Sequence, residues 1–216
     1  MAKTAATQAS KKDNPMFMQD IAKLTTAFSL VMPRRAAVIP APVLGGIVAG
    51  TLVESETGWI AAEDLRVGDR LHTLDGGLAR IHGLDRRMLG VQSDMSLIHV
   101  PGGSFDACSD LWLVPGQHVL VDTAHDPDQT APYVLVPATA LTADAAVRHS
   151  FPQTAVPVIT PLFADEEIIF ANSGVMLHCP SLVDGAGRYP ETSFFPRLEG
   201  DFARSFLASR DMRLAG

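Results

Sequence analysis

The stretch from Gly45 to Asp69 restricts this chain more than any other. Gly45-Gly46-Ile47-Val48-Ala49-Gly50-Thr51-Leu52-Val53 is a short apolar run punctuated by glycine. Glu56-Thr57-Gly58 follows as a turn, and Ala61-Ala62-Glu63-Asp64-Leu65 as a single acidic-apolar helical turn. Arg66-Val67-Gly68-Asp69 then closes as a tight turn. Strand, turn, one helical turn and tight turn within so few residues describe a chain that reverses direction repeatedly.

The same punctuation continues downstream. Arg70-Leu71-His72-Thr73-Leu74, Asp75-Gly76-Gly77 and Leu78-Ala79-Arg80-Ile81 predict a hairpin in which Asp-Gly supplies the positive φ angles of a tight turn. Further strands are expected at 97–100, 111–114, 119–121, 133–136, 156–159, 168–171 and 175–177, with a short helical turn at 137–141. An irregular stretch runs from Asp184 to about Pro196, and Asp201 to Arg213 reads as an amphipathic helix through Phe202, Phe206 and Leu207. Many short strands at even spacing predict a mostly β fold. The 216 residues are 47% hydrophobic and only 19% charged, which is enough apolar material for a sizeable core and excludes a disordered chain. A net charge of −7 leaves no basic surplus to neutralise phosphates, so no nucleic-acid partner is expected.

Upstream of Gly45 the pattern changes. Residues 1–13 have little to bury and are expected to be disordered. Asp13-Asn14-Pro15 is a helix start, and Phe17, Ile21, Leu24, Phe28 and Val31 recur at spacings of three and four on one helical face. Pro33 stops that helix, and Pro33, Pro40 and Pro42 mark an extended linker. The expected organisation is 1–41 as tail, amphipathic helix and Pro-rich linker, and 42–216 as a β domain with a C-terminal helical extension. The helix from Phe17 to Val31 is not basic on its polar face. It is expected to pack on its own domain, on a protein partner or on a second copy in a homodimer, and not on a membrane. No uninterrupted apolar run reaches the roughly 18 residues of a membrane span. Asp20 and Lys23 spoil one signal-like core, and Pro40 and Pro42 break the run after Arg34-Arg35, so a cytoplasmic location is expected ahead of export. Cys108 and Cys179 are too few for a disulfide scaffold and are expected as reduced thiols.

Three blocks, in order, resemble the Hedgehog/intein (Hint) superfamily, and most closely its bacterial stand-alone domains. Gly50-Thr51-Leu52-Val53 with Glu63-Asp64-Leu65-Arg66-Val67-Gly68-Asp69 is similar to the first block of that family. Leu113-Val114-Pro115-Gly116-Gln117-His118-Val119-Leu120-Val121 is similar to its strand-turn-His-strand block, and Ile168-Ile169-Phe170-Ala171-Asn172 to its late block. The resemblance implies a Hint-like compact β fold and a self-processing reaction. In that reaction a Cys or Ser at the first position attacks the preceding carbonyl, a Thr or Ser and a His polarise the amide and protonate the leaving nitrogen, and a terminal Asn cyclises. Carried onto this chain, the nucleophile falls at Gly46, the Thr or Ser at Pro115, and the His at His118. The acid-His pair of related domains reads Asp165-Glu166. Asn172 precedes Ser173 as at an intein junction, with Ala171 where a His is usual. The implied function is a degenerate domain without the N-terminal nucleophile, a non-catalytic binding or structural module. The alternative is cleavage of its own chain after Asn172 by asparagine cyclisation, assisted by His118. His118 and Asn172 are the two catalytic candidates, and no cofactor or metal is implied.

Taken without the resemblance, the same residues have plainer readings. His118 before Val119-Leu120-Val121 is a half-buried strand histidine satisfied by a backbone carbonyl. Asn172-Ser173-Gly174 is a turn between two strands. His178 and Cys179, adjacent in a strand, face opposite sides and so do not form a catalytic or metal pair. Asp122, His125, Asp126 and Asp128 form a solvated hairpin tip whose spacing fits no calcium loop. Cys108 is a small apolar filler. Phosphate-loop, Ser-His-Asp and zinc-site patterns are absent from the sequence.

Overall fold

The computed structural model describes residues 45–90, 95–124, 126, 129–183 and 193–214. The expected tail, amphipathic helix and linker lie outside these residues, as do His125, Asp128 and most of the irregular stretch after Val183. In chain order the strands are β1 (Ile47–Val48), β2 (Leu52–Ser55), β3 (Gly58–Ala61), β4 (Arg70–Thr73), β5 (Gly77–Arg80), β6 (Gly83–Leu89) and β7 (Leu97–Val100). They continue as β8 (Leu111–Leu113), β9 (His118–Asp122), β10 (Tyr133–Pro137), β11 (Arg148–Ser150), β12 (Val156–Leu162), β13 (Glu167–Ala171) and β14 (Val175–Cys179). One-turn and two-turn 3-10 helices cover Ala62–Asp64 and Ala138–Ala143, and the helix α1 runs from Gly200 to Leu214. The fold is mostly β, as the turn spacing predicted.

Two antiparallel sheets share the strands. The first orders β11-β7-β8-β1-β12-β6, and the second β10-β9-β14-β13-β2-β4-β5 with β3 added on β2. Alternation places each strand. In β8, Leu111 and Leu113 are buried while Trp112 between them is exposed, and in β2, Val53 and Ser55 point inward while Leu52 points out. Leu71 and Ile169 from one sheet and Ile98, Leu113 and Ile159 from the other meet in a single core. At about 25 cal/mol per Å² of apolar surface, that shared core is the main term holding the sheets together. The opening stretch was read as one strand, but a turn at Ala49-Gly50 divides it into β1 of the first sheet and β2 of the second. The tight turn after it forms as read, with Asp69 closing it by accepting the Arg66 N–H at 2.8 Å.

Four further details differ from the sequence reading. The β4–β5 hairpin closes through Leu74-Asp75-Gly76, and the positive φ of 69° falls on Gly77 instead of on the Asp-Gly pair, giving a three-residue loop. The strands β6 and β11 were not anticipated. β6 reads Gly-Leu-Asp-Arg-Arg-Met-Leu, an edge strand whose charges suit its exposed border and mask its periodicity. In α1, Ala203, Phe206 and Leu207 are buried while Phe202 is 81% exposed, so the buried face is turned by one residue from the expected one. Cys108 is exposed, not a filler.

The loop from Gly102 to Asp110 locks into the β13–β14 turn. Each contributes two consecutive left-handed residues, Phe105 (φ 48°) and Asp106 (φ 63°) against Asn172 (φ 44°) and Ser173 (φ 68°). Gly174 lies so close to the Asp106 carbonyl that a β-carbon there would overlap it. Gly174→Ala should therefore destabilise the domain by about 2–3 kcal/mol, measured as a lower urea midpoint, whereas Gly90→Ala, which meets open space, should leave the midpoint unchanged.

Candidate functional site

His118 opens β9 immediately after a tight turn in which the Gln117 N–H returns to the Val114 carbonyl at 2.9 Å. β14 pairs with β9 so that Leu177 faces Val119 and Met176 faces Leu120. The same register brings His178 alongside His118, with ring centroids 6.5 Å apart and the rings edge to face. Both imidazoles are buried, at 5% and 2% exposure. His118 thus has an imidazole and a carboxylate around it, where a backbone carbonyl was expected.

Each imidazole donates to a carboxylate. His118 Nε2–H reaches Glu199 Oε1 at 3.1 Å, and His178 Nε2–H reaches Glu166 Oε2 at 2.8 Å. A carboxylate can only accept, which assigns the proton to Nε2 in both rings. Glu166 also accepts the Ser193 hydroxyl at 2.8 Å and the Phe194 N–H, with the Arg197 guanidinium 3.8 Å away. Burial alone would raise the Glu166 carboxyl. The bonds from His178, Phe194 and Ser193 outweigh it and hold the group at about 2. His118 is moved the other way from its usual charged form: burial pushes its pKa below the ordinary 6.5, and the Glu199 carboxylate only partly restores it.

Gln117 sits beneath this pair at 1% exposure. Its amide NH2 donates to the His118 and His178 carbonyls, both at 2.8 Å, and its Oε1 accepts the Gly46 N–H at 2.9 Å. Residue 46, the position of the implied nucleophile, is thus linked through the Gln117 side chain to the backbone of both histidines. Pro115 lies in the turn ahead of β9.

Asn172 is buried at the end of β13 and held at every polar atom. Its N–H donates to the Leu52 carbonyl and its Oδ1 accepts the Leu52 N–H, both at 2.9 Å. Its Nδ2 donates to Ser109 Oγ and the Asp110 carbonyl at 3.1 Å each, and its carbonyl accepts the Cys108 N–H at 3.1 Å. These partners come from the Gly102–Asp110 loop and β2, whereas His118 is tied to Gln117, His178 and Glu199.

Sequence reasoning gave no role to Gln117 or Glu199 and weighed His178 only as a partner of Cys179. The rule that neighbours in a strand face opposite sides does separate His178 from Cys179, whose buried thiol is pushed far above its ordinary range by desolvation. That rule says nothing about the partner across the sheet, and the partner is His118. Two histidines on separate predicted strands were the available signal. Asp122 is exposed at its loop and accepts the Ala124 N–H at 2.6 Å. Among the described residues no group of three or more His, Cys, Asp or Glu is placed to hold a metal ion.

The two shifts act on stability in the same direction. A histidine with a lowered native pKa is protonated more readily in the unfolded chain, so its contribution is lost as pH falls through and below 6.5. The depressed carboxyl of Glu166 stabilises the native state above the ordinary 4.5, and that contribution fades as pH falls toward about 2. Urea midpoints measured against pH should therefore decline in two stages on acidification. His118→Phe should flatten the upper stage. Glu166→Gln should flatten the lower stage and cost roughly 1–2 kcal/mol at neutral pH, after allowance for solvent screening.

Several solved structures and one family model are similar to parts of this chain. Among solved structures, the bacterial intein-like domain from Clostridium thermocellum is 16% identical, with a TM-score of 0.45 and coverage of 62% of this chain and 97% of that one. The Msm DnaB1 intein splicing domain bound with zinc is 16% identical, with a TM-score of 0.37 and coverage of 62% and 99%. The MchDnaB-1 intein is 14% identical, with a TM-score of 0.36 and coverage of 60% and 98%. No curated protein matches the chain. A family model described as a Hint domain matches residues 46–186, more than half of the sequence, beginning at Gly46 and including Gln117, His118, Glu166 and His178; the chain belongs to the Hint domain family.

Proposed function

We propose that this Hint domain makes no N-terminal acyl shift and acts as a non-catalytic binding or structural module. The observation that carries this reading is the geometry at residue 46. Gly46 has a φ of +141°, a conformation that side-chain-bearing residues rarely adopt. A β-carbon there would lie 2.5 Å from Val158 Cγ1 and 2.9 Å from Thr160 Oγ1. The position lacks a nucleophile and also lacks the space for one. Pro115, at the place of the family's Thr or Ser, adds no hydroxyl.

The competing reading is self-cleavage after Asn172. Cyclisation needs the Asn172 side-chain nitrogen to attack its own carbonyl carbon. That nitrogen is engaged by Ser109 and Asp110, and the carbonyl oxygen by Cys108. Four strained and interlocked turn residues hold the arrangement. The geometry favours Asn172 as a structural tie between β2, β13 and the Gly102–Asp110 loop, and His118 as a buried, carboxylate-paired histidine. For a partner we propose the apolar positions from Phe17 to Val31, which lie outside the described residues.

Kept for days at neutral pH, the chain should remain one species at 23.1 kDa by intact mass. Asn172→Ala should leave that mass behaviour unchanged apart from the substitution and lower stability by about 2–3 kcal/mol, because it orphans the Leu52 N–H and the Asp110 carbonyl. A fragment ending at Asn172 that disappears in Asn172→Ala would establish self-cleavage instead. Light scattering at high concentration tests the partner segment: a mass that falls to one chain on changing Phe17, Leu24 and Phe28 to Ser supports a homodimer, and a native mass of one chain removes it.

A further inference from the structure

The peptide between Gly45 and Gly46 is gripped from both ends. Arg87 Nη2 donates to the Gly45 carbonyl oxygen at 3.0 Å, and the Thr160 hydroxyl stands 3.5 Å from the same oxygen. On the other side, Gln117 Oε1 takes the Gly46 N–H at 2.9 Å. Each gripping group is itself held. Arg87 lies opposite Val158 in the β6–β12 register, its Nε pairs with Asp85 Oδ2 at 2.7 Å, and its Nη2 also donates to Thr160 Oγ1 at 3.3 Å. Gln117 is fixed by its two bonds to the His118 and His178 carbonyls. Gly45 and Gly46 are both buried.

A guanidinium aimed at a buried carbonyl oxygen stabilises negative charge on that oxygen. Arg87 is held in place by Asp85 and Thr160 and its side chain is only 28% exposed, so it acts more strongly than a freely solvated guanidinium would. We infer that Arg87, Thr160 and Gln117 form an amide-holding cradle around the Gly45–Gly46 peptide, retained although residue 46 supplies no nucleophile, with Arg87 as the group that accommodates charge on the Gly45 oxygen. The inference rests on the reading of residue 46 as the position of the lost nucleophile. Thr160 is the weakest of the three contacts, since 3.5 Å is at the limit of a hydrogen bond.

The cradle makes a chemical prediction once a thiol is supplied and the closer of the two crowding atoms, Val158 Cγ1, is removed. In a Gly46→Cys, Val158→Ala chain, the sulfur would add to the Gly45 carbonyl carbon, and the oxyanion would face Arg87. Collapse breaks the carbon–nitrogen bond, forms a thioester, and leaves a free amine at residue 46 that carries the proton given up by the thiol. Hydroxylamine then takes the acyl group as a hydroxamate and separates the chain between residues 45 and 46. No oxidant or cofactor enters this balance.

Two measurements test the cradle. In the native chain labelled with carbon-13 at the Gly45 carbonyl, Arg87→Met should move that carbon upfield as the guanidinium bond is lost; an unmoved signal overturns the assignment. In the Gly46→Cys, Val158→Ala chain, hydroxylamine should cut between residues 45 and 46, and adding Arg87→Met should slow the cut by about 10²-fold, read by intact mass. A folded double variant that is not cut, or is cut equally fast with Arg87→Met, overturns the activating role. If the double variant does not fold, the carbon shift decides. Spontaneous cutting of the unaltered chain at this bond would count against the non-catalytic reading and leave the cradle standing.

Discussion

A single side-chain amide, that of Gln117, ties the two sheets together at the centre of this domain. It accepts from Gly46, which leads into β1 of the first sheet, and donates to the carbonyls of His118 and His178 in β9 and β14 of the second. All three partners are buried backbone groups, and each would cost about 1–3 kcal/mol if left unpaired. That penalty fixes the spacing between the start of β1 and the histidine pair. The positions of Gly46, His118 and His178 therefore depend on one another.

A second set of bonds closes this centre from the C-terminal side. Ser193, the Phe194 N–H and Arg197 converge on Glu166, and Glu199 reaches His118 just before α1 begins. The same segment lies along the outer edge of β10, where Leu135 bonds to Pro196 and Leu198. Ser193, Phe194, Pro196, Arg197, Leu198 and Glu199 lie beyond the stretch matched by the family model, which ends at residue 186. Two buried histidines are thereby satisfied by carboxylates that the C-terminal segment either supplies or holds in place, and a sheet edge that could recruit another strand is covered.

Much of the fold was legible from local patterns, because turns and alternation are local physics. The Val67-Gly68-Asp69 turn, the Arg70–Ile81 hairpin and the apolar strands from Leu97 to Leu177 each declare themselves within a few residues. β6 did not, because an edge strand can be charged on its exposed side without loss, which removes the apolar alternation that marks a strand. The helix face was misread by one residue for a related reason: Phe202 is apolar, yet only packing against Ala138–Ala143 decides which side of α1 is buried.

The sequence by itself determined that this chain is a mostly β protein of the Hint type and that positions 46 and 115 hold glycine and proline, neither of which carries a nucleophile or a side-chain proton donor. Those are statements about residue identity, and identity needs no coordinates. Only the tertiary structure decided that His178 faces His118, that Asn172 is bound at every polar atom, and that Arg87 reaches the Gly45 carbonyl from 42 positions away. The reason is register. Which residue meets which across two sheets depends on how strands distant in sequence pair and stack, and a shift of one position would turn each of these side chains to the other face.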